Sequence, residues 1–190
     1  NQKEGYCKSA TILNHEINNL IPNEISSQNW AGGSPAGIIG GPPCESYSSH
    51  GRRKGVSDPR GQLVFVFAEW VIQLLPKFFL MENVPLLAKA DEGRVLTEII
   101  NKTRKAGYAV EATILNASEF GAATKRKRLI IIGLRGDSAP QWPKQTHGIG
   151  TTLAPYVTVR DAINSLPPAS NVEPGDPQGH VLVKHTKPVA

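Results

Sequence analysis

Cysteine is almost missing from this chain: 190 residues hold only Cys7 and Cys44. Two are too few for a disulfide framework, and neither stands at metal-ligand spacing from the five histidines, so neither a disulfide scaffold nor a metal site is expected. Free thiols suit a reducing compartment. Long apolar runs are lacking as well: nothing reaches the ~18 residues a membrane-spanning helix needs, and no charged-then-apolar leader is visible. A soluble, cytoplasmic protein without a membrane partner is the expectation. Methionine occurs once, at Met81, while the first residue is Asn1, so the chain reads as an internal piece of a longer protein. No internal repeat and no low-complexity tract are present.

What remains is ordinary globular material, 39% hydrophobic and 19% charged, enough for one domain or part of one. Lysine and arginine (21) exceed aspartate and glutamate (16), and the excess gathers at Arg52-Arg53-Lys54, Lys102 to Lys105 and Lys125-Arg126-Lys127-Arg128. Such clusters are compatible with a polyanionic partner, although charge runs are more often solvated faces.

Taken in order, a loose helical pattern from Tyr6 to about Glu16 is expected to end at Pro22, followed by a glycine-containing loop from Trp30 to Pro35. Ala36 to Ile39 reads as a buried strand. Leu63 to Leu75, apolar almost all round and stopped by Pro76, reads as a buried helix that Asp58-Pro59 would start. Phe78 to Met81 is a central strand. Asp91 is expected to cap a helix whose apolar face is Val95, Leu96, Ile99 and Ile100 and which Gly107 ends. Tyr108 to Leu115 and Leu129 to Ile132 complete the strands. Strands alternating with helices imply a doubly wound, mostly parallel α/β sheet with ligands at the strands' carboxyl ends. Residues 1–136 form this part. Beyond Gly136 the texture changes: eight of 15 prolines fall between Pro140 and Pro188, giving an irregular segment, 137–190, with one short helix at Arg160 to Ser165.

Chemistry concentrates after the first strand, at Gly40-Gly41-Pro42-Pro43-Cys44. Two glycines and two prolines make a rigid turn that ladder pairing cannot absorb, and the polar Glu45 to His50 beyond it argue for an open loop. Most free cysteines are small buried hydrophobes, but here the thiol sits where an attacking thiolate would. A second strand end delivers Glu82-Asn83-Val84.

These residues resemble the catalytic part of a cytosine-5 DNA methyltransferase of the bacterial or phage type, a Rossmann-like fold that uses S-adenosylmethionine. Gly40 to Cys44 is similar to the family's nucleophile motif, Glu82 to Val84 to its carboxylate motif, and Arg126-Lys127-Arg128 to its paired-arginine motif. Asp58 to Gly61 and Val159 to Pro167 match further landmarks, so the likeness runs from about residue 4 to residue 168.

The resemblance implies a DNA (cytosine-5-)-methyltransferase acting on double-stranded DNA. Carbon 5 of cytosine is a poor nucleophile until a thiolate, here Cys44, adds at carbon 6. A free thiol of pKa about 8.5 is mostly protonated at neutral pH, so nearby arginines would favour its ionised form. Glu82, partly buried, would hydrogen-bond and protonate the ring nitrogen; Arg128 would stabilise the carbonyl oxygen, and Arg126 would orient Glu82 or a phosphate. A duplex cytosine must be flipped out to reach such a pocket. Ser48, His50 and Arg60 would touch DNA, Pro43, Leu63 and Glu24 the S-adenosylmethionine donor, and no metal is implied. A monomer, with a restriction endonuclease as functional partner, fits the type.

The family's glycine-rich first motif, its target recognition domain and its closing asparagine-containing motif are absent from this stretch, and Thr124 stands where glutamine is usual. The fragment alone is therefore expected to be inactive. Three other readings compete: a tRNA methylase of the same family, a non-catalytic nucleic-acid-binding relic, and a cysteine hydrolase. The relic reading has no chemical reason to keep Cys44, Glu82 and Arg128 together, and a hydrolase lacks a histidine placed to activate Cys44.

Overall fold

The computed structural model describes residues 13–30, 33–43 and 59–166. Among these residues four strands form one sheet: β1 (Gly37–Gly40), β2 (Phe78–Asn83), β3 (Tyr108–Asn116) and β4 (Lys127–Arg135), in the order β1-β2-β4-β3. The helices are α1 (Pro22–Trp30), α2 (Leu63–Leu74), α3 (Arg94–Lys105) and α4 (Val159–Ile163), with 3-10 turns at Ile17–Asn19, Pro59–Gln62, Pro85–Gly93 and Ala117–Phe120. β1 and β2 are parallel, whereas β4 runs antiparallel to both β2 and β3 and so lies between them. β1, β2 and β3 therefore share one direction, and their carboxyl ends meet the amino end of β4 along a single edge of the sheet. The α/β sheet expected from the sequence is present, in mixed form.

Burial alternates along the strands as the pleat requires. Phe79 and Met81 of β2, Leu129 and Ile131 of β4, and Tyr108 and Val110 of β3 face α2 and α3, packing with Val64, Phe67, Ala68, Val71, Val95, Ile99 and Leu87. Phe79 anchors this layer, with the Phe67 ring 6.3 Å and the Tyr108 ring 5.4 Å from it, both edge-on. The Tyr108 hydroxyl, buried with its ring, donates to the Pro76 carbonyl at 2.7 Å.

The helix expected from Tyr6 to about Glu16 lies mostly outside the described residues; of it residues 13–16 are seen and are non-helical, and Ile17 opens the 3-10 turn Ile17–Asn19. Two other expectations are corrected. Pro22 opens α1 instead of ending a helix, because its fixed φ suits a first turn and its missing N–H would be unpaired there anyway. Asp91 does not cap α3. Asp91, Glu92 and Gly93 all have positive φ (49°, 58° and 83°), and the Asp91 carboxylate turns forward onto Arg94, whose Nε donates to Oδ2 at 3.0 Å. That guanidinium holds the Asp91 carboxyl below the usual carboxylate range.

Asp58, expected to start α2, lies outside the described residues, and Pro59 opens the 3-10 turn Pro59–Gln62 ahead of α2; the end of α2 is punctuated as the sequence implies. Pro76 denies Leu75 the right-handed helical region, so Leu75 closes α2 at φ 45°, its N–H on the Val71 carbonyl at 2.9 Å. α4 starts one residue earlier than expected, on a capping box in which Asp161 N–H donates to Thr158 Oγ1 at 3.2 Å and Thr158 N–H to Asp161 Oδ2 at 2.8 Å. The segment between β4 and α4 does not leave the sheet at once: Trp142 Nε1 donates to Glu111 Oε2 of β3 at 2.6 Å.

Candidate active site

The tips of β1 and β2 are adjacent, with Gly40 opposite Met81. One residue beyond that pair, Glu82 leaves the face covered by α2 and α3. On β4, Ile130 lies opposite Glu82, and strand periodicity puts Arg128, and Arg126 just before the strand, on the same side as Ile130. The alternation in Arg126-Lys127-Arg128 thus sends two guanidinium groups toward one carboxylate. Arg128 Nε lies 2.6 Å from Glu82 Oε1, and Arg126 Nη2 lies 3.9 Å from the same oxygen.

The two arginines are unequal. Arg128 has a side chain 26% exposed and is steadied by a second bond, Nη1 to the Lys127 carbonyl at 2.8 Å, whereas Arg126 is 59% exposed. The nearer and better held of the two partners of Glu82 is therefore Arg128, whereas the expectation was that Arg126 would orient Glu82 or a phosphate. A half-exposed pair of this kind contributes at most about 1 kcal/mol to stability, so its consequence is orientation. Glu82 Oε2 points toward Gly41, where an added Cβ would stand 3.3 Å from it. A side chain at 41 would press on the one carboxylate oxygen that Arg128 leaves without a partner among the described residues.

Asn83, given no role from the sequence, joins the two strand tips. Its side chain is buried, Nδ2 donating to the Pro42 carbonyl at 3.2 Å and Oδ1 accepting from Val84 N–H at 2.9 Å. One amide thus ties the turn that leads to Cys44 to the residue following Glu82. Its place inside the Glu82-Asn83-Val84 motif was the signal that could have found it.

A pocket of about 280 Å³ opens beside this clasp, walled by Ile38, Gly40, Gly41, Pro43, Leu63 and Trp70 among others. Gly40 is required there: a Cβ would stand 2.7 Å from the Phe67 ring that closes the floor. Pro43 and Leu63, the residues expected at the methyl donor, both line this pocket. Glu24 does not join them; it is exposed on α1 and forms no part of the lining. Cys44, Ser48 and His50 lie outside the described residues, and Arg60 belongs to the Pro59–Gln62 turn. No metal-binding cluster occurs among the described residues, and none of their helices is long and apolar enough to cross a membrane.

The family model of the C-5 cytosine-specific DNA methylases matches residues 4–179. The chain belongs to that family. Type II methyltransferase M.AquIA of Picosynechococcus sp. is 42% identical to this methylase chain over 151 residues, 70% of this chain and 61% of the relative. Type II methyltransferase M.BspRI of Lysinibacillus sphaericus is 38% identical over 140 residues, 73% of this chain and 32% of the relative. A solved structure described as a DNA modification methyltransferase encoded within a prophage of E. coli shares 29% identity with a TM-score of 0.59, covering 80% of this chain and 41% of its own. A DNMT2 variant of Spodoptera frugiperda, 24% identical with a TM-score of 0.52 over 68% of this chain and 37% of its own, shares the fold. The methylase chain thus spans 61% or less of the length of each of these relatives.

Proposed function

We propose that the protein carrying this chain transfers a methyl group from S-adenosylmethionine to carbon 5 of a cytosine in duplex DNA. The observation that carries this reading is the Arg128–Glu82 pair at the tip of β2, tied by Asn83 to the turn that ends one residue before Cys44.

The chemistry follows from which oxygen is held. With Oε1 on Arg128, Oε2 is the Glu82 atom left to meet a pyrimidine ring nitrogen, and the clamp stops the carboxylate from rotating away. Cys44 adds its thiolate to carbon 6 of the flipped base, and charge moves toward the ring nitrogen and carbonyl oxygen. Glu82 answers the first, and the free edge of the Arg128 guanidinium answers the second. Arg126, exposed at the rim, is available to a phosphate.

The pocket beside the clasp supports this reading as the place of the adenosyl group, because its walls are mostly apolar and include Pro43, Trp70 and Phe67, which suits an uncharged heterocycle. When bound, S-adenosylmethionine supplies a methyl group made electrophilic by its sulfonium. Leu63 and Pro43 would hold the donor next to the cysteine turn; Glu24 is left out of this proposal.

Duplex DNA carrying 5-fluorocytosine in place of the target base tests the reading. The full-length protein is expected to form a covalent adduct in the presence of the donor, because fluorine at carbon 5 blocks release of the thiol, and Cys44→Ser is expected to abolish it. An undiminished adduct in Cys44→Ser rejects the assignment.

A further inference from the structure

Among the described residues, the most exposed large apolar side chain is Ile149, at 93%. It stands between Gly148 and Gly150 at the tip of a loop that is braced at its base. Thr146 N–H and His147 N–H both donate to the Glu119 carbonyl at 3.0 Å, Gly148 N–H donates to the Ala154 carbonyl at 2.9 Å, and Ala154 N–H to the Thr146 carbonyl at 3.0 Å. Gln145 Nε2 donates to the His147 carbonyl at 2.8 Å. A Cβ on Gly148 would lie 2.7 Å from Gln145 and 2.8 Å from Leu153, so the neck of the loop is filled. The His147 ring packs on Gly121, where a Cβ would come within 2.8 Å of it.

This brace connects to the active site in two steps. Glu119 belongs to the 3-10 turn Ala117–Phe120, and Ala117 N–H donates to the Arg126 carbonyl at 3.0 Å, at the amino end of β4. The loop is thus fixed to the sheet edge where Arg126 and Arg128 meet Glu82. Cations outnumber carboxylates around it: between Asp137 and Asp161 the chain has no carboxylate but holds Lys144 and Arg160, and the exposed Lys125, Arg126 and Lys127 stand at the neighbouring strand end, with Glu119 the acidic residue at the brace.

We propose that the Gly148-Ile149-Gly150 tip is a DNA-contacting element, Ile149 packing its apolar side chain against base or sugar edges of the duplex beside the cytosine site. The inference rests on the methylase reading above and adds a residue that none of the catalytic motifs contains. An ordered loop that holds an isoleucine clear of the protein exposes a surface that water penalises, and the surrounding cations favour a polyanion as the partner that covers it. Apolar side chains pressed between or along base steps are an established mode of duplex contact.

The test uses the full-length protein, a labelled mixed-sequence duplex and its single strand, read by fluorescence anisotropy over a salt series, with Ile149→Ser and Ile149→Leu beside the wild type. Removing half of an isoleucine's burial corresponds to about a tenfold loss of affinity. Ile149→Ser is expected to lose about that factor on the duplex and less on the single strand, with the salt dependence unchanged because no phosphate contact is lost. Ile149→Leu is expected to keep wild-type affinity. Wild-type affinity in Ile149→Ser, with the wild type binding the duplex, overturns this inference alone. A drop in the melting temperature of Ile149→Ser without DNA, matched by no specific loss on the duplex, also overturns it, because the tip is then covered by another part of the protein. Failure of the wild type to bind any duplex rejects the methylase reading and this inference with it.

Discussion

Replacing Asn83 by alanine separates the two strand tips without touching a reacting group. The side chain makes two bonds inside the protein, to the Pro42 carbonyl at 3.2 Å and from Val84 N–H at 2.9 Å, and is 2% exposed. Each bond is worth about 1 kcal/mol net, and each half-buried partner left without one adds to the cost, so a total loss of about 2–4 kcal/mol is expected. For a chain of this size that is a fall in melting temperature of the order of 10 °C. Asn83→Asp keeps the acceptor for Val84 but sets a carboxylate oxygen against the Pro42 carbonyl, so it should cost at least as much. The kinetic effect is the sharper readout. With the clasp gone, the turn before Cys44 is no longer fixed relative to Glu82, so single-turnover adduct formation on 5-fluorocytosine DNA should slow by roughly 10²-fold while DNA affinity stays near wild type. Thermal melts and quenched-flow adduct assays on the full-length protein measure both. An Asn83→Ala protein that melts and reacts like the wild type would refute the argument that this amide holds the two tips together.

Arg128→Lys keeps a positive charge but loses the Nε donor that lies 2.6 Å from Glu82 Oε1. Turnover is expected to fall by 10- to 100-fold, roughly the value of one positioned donor, with melting changed by less than about 1 kcal/mol; equal turnover in the two proteins would place the orienting group elsewhere. Tyr108 gives an alkaline signature, since burial pushes its phenol up from 10.0 to about 12, offset slightly by Arg135. The folded state then holds its proton more tightly than the unfolded chain, so the stabilising contribution is complete below pH 10 and is lost as pH climbs toward 12. Tyr108→Phe should therefore be less stable than wild type near neutrality, lacking the bond to Pro76, and the gap should narrow across that window in denaturant melts. A constant gap would contradict the sign.

Much of the site could be found in the sequence because its residues sit at fixed offsets from backbone punctuation. Pro42 and Pro43 cannot extend a paired strand, so the break after β1 could be located. Pro76 set the end of α2, and Gly107 marked the turn after α3. The errors have a common source: proline and aspartate each have two uses at a helix terminus. Pro22 could end one helix or begin another, and the packing of α1 on α2 decides which. Asp91 could cap α3 or pair with Arg94, and the run of positive φ from Asp91 to Gly93 removes the cap geometry.

By itself the sequence determined which groups exist and which strand ends carry them: a thiol after Pro43, a carboxylate after Met81, and two arginines spaced by two. It could not determine which arginine takes the carboxylate, because that depends on β4 being inserted between β2 and β3 in the register that places Ile130 opposite Glu82. Nor could it assign Asn83, whose bond to Pro42 joins residues 41 apart. Local spacing fixes where a side chain leaves the backbone. The partner it meets is fixed by strand order and register, which arise only when separate parts of the chain pack together.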